Sequence, residues 1–276
     1  MIKIELRNKD NQLIQGKIDH EKVTQTYQVV GKDLAVLAIK DYLYQPGDKL
    51  VITSKQANQY LMVQLDETLV PSLIYLAGTQ WEYQLPHKQM EKKAAIETSF
   101  SSKRHHLMVR EAYPFEIMQY QNLSINSHDQ KESTGAYPHA TANVETRDEA
   151  IFYAKNAIDG KYGNYSHGSY PFTSWGINQQ EDAELTIEFG REVRVDWVRL
   201  LFRGDYPHDS YWTNVTIEFS DGNNLCVPTI KSLEFQNVKF PLKKTTSLTL
   251  KNLRKASDES PFPALTQIEV FGLNQI

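Results

Sequence analysis

With Cys226 as its single cysteine among 276 residues, the chain has no intrachain disulfide and no multi-cysteine zinc site. That usage fits a reducing compartment. No apolar run approaches the roughly 18 residues of a membrane span. The amino terminus, Met1-Ile2-Lys3-Ile4-Glu5-Leu6-Arg7, alternates charge with apolar residues and lacks the continuous apolar stretch of a signal peptide. The expected location is therefore the cytoplasm. There is no block of like charge, and Lys+Arg 30 against Asp+Glu 34 leaves a net −4. Neither nucleic acid nor an anionic membrane surface is offered an electrostatic footprint. Catalytic spacings are also missing: no H-x-x-x-H, H-x-H or G-x-S-x-G occurs.

The chain does contain enough apolar material for a core, with 40% hydrophobic and 23% charged residues, which excludes disorder for its bulk. Its length accommodates two modest domains. Aromatic residues are plentiful (Tyr 15, Phe 11, Trp 4), and many stand in polar stretches rich in Pro and Gly, where core packing alone does not place them.

The first 85 residues read as short half-buried strands. Ile2, Ile4 and Leu6 alternate with Lys3, Glu5 and Arg7, and Leu61, Val63 and Leu65 alternate with Met62 and Gln64. Turns fall at Gly31-Lys32-Asp33 and Pro46-Gly47-Asp48. The spacing predicts a small β-sandwich over 1–85 without a catalytic or metal motif, serving as a scaffold or a face for a protein partner. Residues 86–110 are rich in Lys and Arg and read as a linker, with a short helix over Gln89–Thr98.

The second domain is expected over 111–276. Thr146-Arg147-Asp148-Glu149 has capping-box spacing, with Ile151, Ala154 and Ile158 following at helical intervals and Gly160 closing the helix. Strands follow at 185–189, 193–202, 215–219, 247–250 and 266–271, with a hairpin turn at Ser220-Asp221-Gly222. The whole chain thus reads as all-β.

Three polar-aromatic segments carry the candidate chemistry: Tyr137–Arg147; Tyr162–Trp175, with Asn164, Tyr165, His167, Tyr170 and Phe172; and Arg203-Gly204-Asp205-Tyr206-Pro207-His208-Asp209-Ser210-Tyr211-Trp212. Loops with this content suit a sugar, whose apolar C–H face lies on an aromatic ring and whose hydroxyls need paired donors and acceptors. The expected stacking surfaces are Trp212, Trp175 and Tyr211, and the expected hydroxyl clamps are Arg203 and Asp205. His139, Glu145, His167, His208 and Asp209 form the expected polar shell. An Arg also pairs bidentately with a sugar carboxylate. On this reading, Arg203→Ala and Trp212→Ala each abolish binding at unchanged melting temperature. The same pool of histidines and carboxylates admits a two-His-one-carboxylate metal site or an acid/base pair, so a carbohydrate hydrolase or lyase stays open, as does a protein-interaction module. Tyr-Pro-His recurs at 137 and 206, and if the two loops meet, His139 and His208 face one pocket.

Asn156-Ala157-Ile158-Asp159-Gly160, Thr173-Ser174-Trp175, Ala183–Gly190 and Gln267-Ile268-Glu269-Val270-Phe271-Gly272 together resemble the discoidin-like, or coagulation factor 5/8 type C, domains, over roughly 123–276. The resemblance implies a galactose-binding-like jelly roll whose end loops bind glycans, as in many bacterial carbohydrate-binding modules, which are often exported. The stretch 137–212 is also similar to a bacterial subgroup sharing its Y-P-H and P-H-D-x-x-W elements. The family resemblance further implies one structural Ca²⁺ held by Asp159, Thr173 and Glu269, with carbonyls from around Asn156 and Lys161. The chain departs from the family pattern in the long stretch 161–172 between Asp-Gly and Thr-x-Trp.

Overall fold

The computed structural model describes residues 1–17, 24–87, 94–163 and 167–275. Its contacts divide the chain into two units, Met1–Glu116 with Ser133–Ala136, and Ile117–Glu132 with Tyr137–Ile276. Almost all regular structure is β, as the alternation predicts. Among the described residues no helix is long and apolar enough to cross a membrane.

The first unit holds β1 (Ile2–Arg7), β2 (Gln15–Gly16), β3 (Gln25–Thr26), β4 (Gln28–Gly31), β5 (Leu34–Ile39), β6 (Lys49–Ser54), β7 (Gln59–Gln64), β8 (Ser72–Leu76), β9 (Gln80–Gln84) and β10 (His105–Glu111). One sheet has the order β4-β1-β6-β9. In the other, β8-β7-β10-β5 is extended at β8 by the start of β12 (Ala136–Tyr137). Alternate residues of both sheets, including Ile4, Leu6, Ile52, Val63, Ile74, Trp81 and Val109, bury their side chains in one core.

The predicted linker differs from what is found. Residues 105–110 belong to β10, which pairs with both β5 and β7. Phe100 is buried and its N–H donates to Asp66. The apolar positions of this basic stretch thus pack into the first unit, which runs on to Glu116. Of the helix expected over Gln89–Thr98, 89–93 lie outside the described residues, and 94–98 contains turns.

The second unit contains β11 (Gln121–Asn122), β13 (His139–Ala142), β14 (Trp175–Gly176), β15 (Leu185–Phe202), β16 (Trp212–Phe219), β17 (Asn224–Pro228), β18 (Gln236–Lys255) and β19 (Ala264–Asn274). Its sheet order is β11-β19-β15-β18-β16-β17, with β13 also on β15 and β14 on β19. β15 and β18 pair along most of their length, and β15 changes register between Glu188 and Val193. Its first half pairs with β13 and its second with β19, so the bulge carries the strand from one set of partners to another. Gly190 sits in that bulge at φ +68°, and a Cβ there would lie 2.2 Å from the Tyr137 ring. A side chain cannot be added without moving that ring. The sheet encloses a core of Leu185, Ile187, Phe189, Val198, Leu200, Ile217, Leu250 and Val270 around Trp175 and Trp212.

The predicted helix after Thr146 is replaced by three 3₁₀ turns, Thr146–Asp148, Ala150–Phe152 and Ala154–Ile158. The capping box does not form. Thr146 Oγ1 accepts the Asn178 N–H at 2.9 Å, and Arg147 and Asp148 have positive φ. Burial of Ala150, Phe152, Ala154, Ala157 and Ile158 stabilises this irregular path, so packing overrides helix propensity.

Candidate functional site

The two tryptophans are core residues. Trp175 and Trp212 are both 0% exposed, and Trp212 meets Phe202 edge-to-face at 5.3 Å and Trp175 at 6.3 Å between ring centroids. Trp175 Nε1 donates to the Val144 carbonyl at 2.9 Å. The expectation that they stack a ligand is therefore corrected. Each begins a strand, Trp175 in β14 and Trp212 in β16, and the pleat turns its ring inward. Tyr211, the third expected stacking ring, packs against the same core.

Arg203 and Asp205 are also buried. Arg203 Nε donates to Asp205 Oδ1 at 2.5 Å and its Nη2 to Oδ2 at 2.9 Å. Nη1 donates to the Phe172 carbonyl at 3.0 Å and to Ser174 Oγ at 3.3 Å. Most of the guanidinium fork is thus engaged in joining the 203–205 loop to the strand entry at 172–174. This corrects the assignment of Arg203 as a free hydroxyl clamp.

Two histidines are placed around Asp205. His167 is exposed, with Nδ1 3.4 Å from Asp205 Oδ2. His208 stacks against His167 at 6.0 Å and lies between Phe152 (6.1 Å) and Phe262 (5.9 Å). Burial, reinforced by the Arg203 charge, pushes the His208 pKa down to about 4, so its ring is neutral at pH 7. The potential ligand atoms of His167, Asp205 and His208 all lie within 4.8 Å of one another.

Exposed aromatic rings stand on or beside the segments that carry this cluster. Tyr206 is 70% exposed, Tyr170 49% and Phe262 41%, and Tyr170 meets Phe172 edge-to-face at 6.0 Å. Asp209 lies beside them, accepting from Ser260 Oγ and, at 3.1 Å, from Lys231 Nζ. The Ser260 hydrogen bond, followed by Lys231, holds its pKa below the usual carboxylate range. It ties the 203–211 loop to the Phe262 loop. Asn164 and Tyr165, named with this segment, lie outside the described residues.

His139 and Glu145 have other partners. His139 is buried on β13 with Nδ1 2.7 Å from Asp129 Oδ1, while Asp129 Oδ2 accepts the Ala140 N–H. Burial opposes its protonation, but the Asp129 carboxylate outweighs this and raises its pKa. Glu145 accepts the Ala154 N–H at 2.7 Å, capping a 3₁₀ turn, and pairs with Lys131 at 3.6 Å. Burial raises its pKa. Placing either in the polar shell of a ligand pocket is corrected, because both side chains serve backbone or buried partners. His139 and His208 do not share surroundings, although the Tyr–Pro bonds at 137, 170 and 206 are all cis.

The residues expected to hold Ca²⁺ do not fit a cation. Gln267 Nε2 donates to the Asn156 carbonyl at 2.7 Å and to Asp159 Oδ1 at 2.8 Å, and its Oε1 accepts the Gly160 N–H at 3.1 Å. Lys161 Nζ lies 3.5 Å from Asp159 Oδ2. Glu269 accepts from Tyr162 Oη at 2.8 Å and pairs with Arg199 at 3.0 Å, so it faces a guanidinium. Thr173 is buried on the strand side of the same loop. An amide and two side-chain cations satisfy oxygens that an ion of this kind requires free. Burial also raises the Asp159 pKa, which opposes the ionised form.

An open recess lined by Met118, Arg194, Lys244, Leu273, Asn274 and Gln275 contains none of the candidate residues. The sequence reading missed Phe262 and Asp129, and gave the Gln267 side chain no role. Pro261-Phe262-Pro263, an aromatic fixed between two prolines, was the available signal for the first.

No protein-family model matches the chain, and no curated protein matches it. Solved structures do. A chitosan-binding module from a chitosanase/glucanase of Paenibacillus sp. IK-5 is 19% identical, with 56% of this chain and 100% of that one covered at a TM-score of 0.40. The family 32 carbohydrate-binding module of NanJ from C. perfringens, in complex with galactose, is 15% identical, with 55% and 99% covered at 0.41. The lectin domain of lectinolysin, complexed with Lewis B antigen, is 16% identical, with 56% and 98% covered at 0.40. Family 32 modules have the discoidin-like jelly-roll fold that the sequence motifs resemble. No residue role passes from these proteins to this chain.

Proposed function

We propose that the loop end of the second unit binds a carbohydrate without altering it chemically. The observation that supports this reading is the exposure of Tyr206, Tyr170 and Phe262 on or beside the segments that carry the His167–His208 pair and the buried Arg203–Asp205 ion pair. Exposed rings offer flat apolar faces to sugar C–H groups, and the imidazoles and tyrosine hydroxyls offer donors and acceptors to the ring hydroxyls. The ion pair beneath holds the loops in place before a ligand arrives, which lowers the ordering cost of binding.

Binding without turnover follows from how the carboxylates are committed. Asp205 accepts from Arg203 Nε and Nη2 through both of its oxygens, and Asp209 accepts from Ser260 and Lys231. Glycoside hydrolysis needs two carboxyl groups free to flank the scissile bond. Tyr206→Ala tests the reading. Its side chain is solvent-facing, so loss of glycan-array signal is expected with a melting temperature unchanged within about 2 °C. Undiminished glycan binding by this variant and by Tyr170→Ala and Phe262→Ala overturns the assignment.

A further inference from the structure

Of the six histidines and carboxylates that the sequence places in the polar segments, the structure gathers three around one point, and their types match a metal-ligand set. We infer that His167, Asp205 and His208 form a binding site for a first-row divalent cation, with Zn²⁺ as the reference ion. The inference stands independently of the carbohydrate reading.

The donor chemistry is two imidazoles and one carboxylate, which suits zinc, nickel or cobalt better than calcium. At Zn–N and Zn–O distances near 2.1 Å, tetrahedral ligand atoms lie about 3.4 Å apart. His167 Nδ1 and Asp205 Oδ2 are already at 3.4 Å. The widest separation in the trio is within 4.8 Å, so closure takes roughly 1.5 Å, within reach of the imidazole torsions. The exposed His167 has room for that rotation. Its exposure also leaves the fourth position open to water.

The surrounding contacts resemble the outer shell of a metal centre. The Phe262 backbone interacts with the His208 ring, a kind of contact that commonly orients a metal-bound histidine. Phe152 and Phe262 both pack near the ring, at 6.1 and 5.9 Å between centroids. Arg203 grips both carboxylate oxygens of Asp205 and orients them. Each carboxylate oxygen carries two lone pairs, so Oδ2 accepts from Arg203 and still presents a lone pair toward His167. The guanidinium charge weakens cation binding relative to a free carboxylate.

The test is calorimetric titration of Zn²⁺ into the full chain after treatment with EDTA, with no sugar present. The expected result is one ion per chain, with affinity lowered at least about tenfold in His167→Ala and in His208→Ala. His106→Ala, at an exposed histidine of the first unit, should leave the affinity unchanged. Cobalt in place of zinc should give a visible absorption band that disappears in the same two variants. His167 is exposed, so its replacement reports on the site even if His208→Ala folds poorly. Absence of saturable binding, or binding equally strong in His167→Ala, overturns the inference. Glycan binding is measured separately in EDTA, so either property can fail while the other persists.

Discussion

Trp212→Ala separates the core from the binding surface most sharply. The side chain is fully buried, meets Phe202 and Trp175, and leaves a large cavity when truncated. Large-to-small changes of this kind cost about 3–5 kcal/mol. The Trp212 indole Nε1 is buried without a hydrogen-bond partner, so its removal returns part of that cost, on the order of 1 kcal/mol. The net expectation is about 3 kcal/mol. For a unit of this size each kcal/mol shifts the midpoint by roughly 2–4 °C, so scanning calorimetry should show a fall of about 6–12 °C. Glycan affinity measured well below that midpoint should be retained. A midpoint unchanged within about 2 °C together with lost binding would refute the placement of Trp212 in the core and restore it as a ligand platform.

Three further outcomes follow from the same contacts. Arg203→Ala leaves the fully enclosed Asp205 carboxylate without its partner and should destabilise the second unit by about 3–5 kcal/mol, read by urea denaturation; a loss under about 1 kcal/mol contradicts the buried pair. Gln267→Ala strips hydrogen bonds from Asn156, Asp159 and Gly160 and should cost about 1–3 kcal/mol, whereas millimolar Ca²⁺ should not raise the melting temperature of the unaltered protein. A calcium-dependent rise of several degrees in calorimetry would overturn that account. Burial pushes the His128 pKa down to about 3, below its unfolded value near 6.5. Its contribution to stability is therefore complete above pH 6.5 and lost as pH falls toward 3, at about 1.4 kcal/mol per pH unit. Denaturation at pH 7.5 and pH 5 should show a smaller pH difference, by about 2 kcal/mol, in His128→Gln; equal differences in the two proteins exclude this source.

Much of the fold was legible because strand alternation reports burial directly. Ile2-Ile4-Leu6, Leu185-Ile187-Phe189 and Val215-Ile217-Phe219 all point their apolar sets inward. The helix after Thr146 was not legible, since the bond from Asn178 to Thr146 comes from far along the chain and displaces a local cap. The 86–110 stretch misled for a similar reason: its charge masks Phe100 and the β10 alternation of His105, Leu107 and Val109.

The site was half legible. The segment 203–212 does supply a clustered Arg, Asp and His, and His167 joins it across a long insertion, as its composition suggested. Residue type alone could not tell a ring facing solvent from one facing the core. Tyr206 and Trp212 share one ten-residue segment, yet one is 70% exposed and the other fully enclosed. Only the point where β16 begins separates them. The calcium expectation took no account of the side chains of Gln267 and Lys161, which come to face the Asp159 oxygens that the ion would use.

The most direct measurement is a glycan array on the purified full chain, run in EDTA, comparing the unaltered protein with Tyr206→Ala and with Trp212→Ala below its melting midpoint. The account predicts specific signal from the unaltered protein, retained in Trp212→Ala and lost in Tyr206→Ala. No signal for any sugar, or loss in Trp212→Ala with retention in Tyr206→Ala, contradicts it.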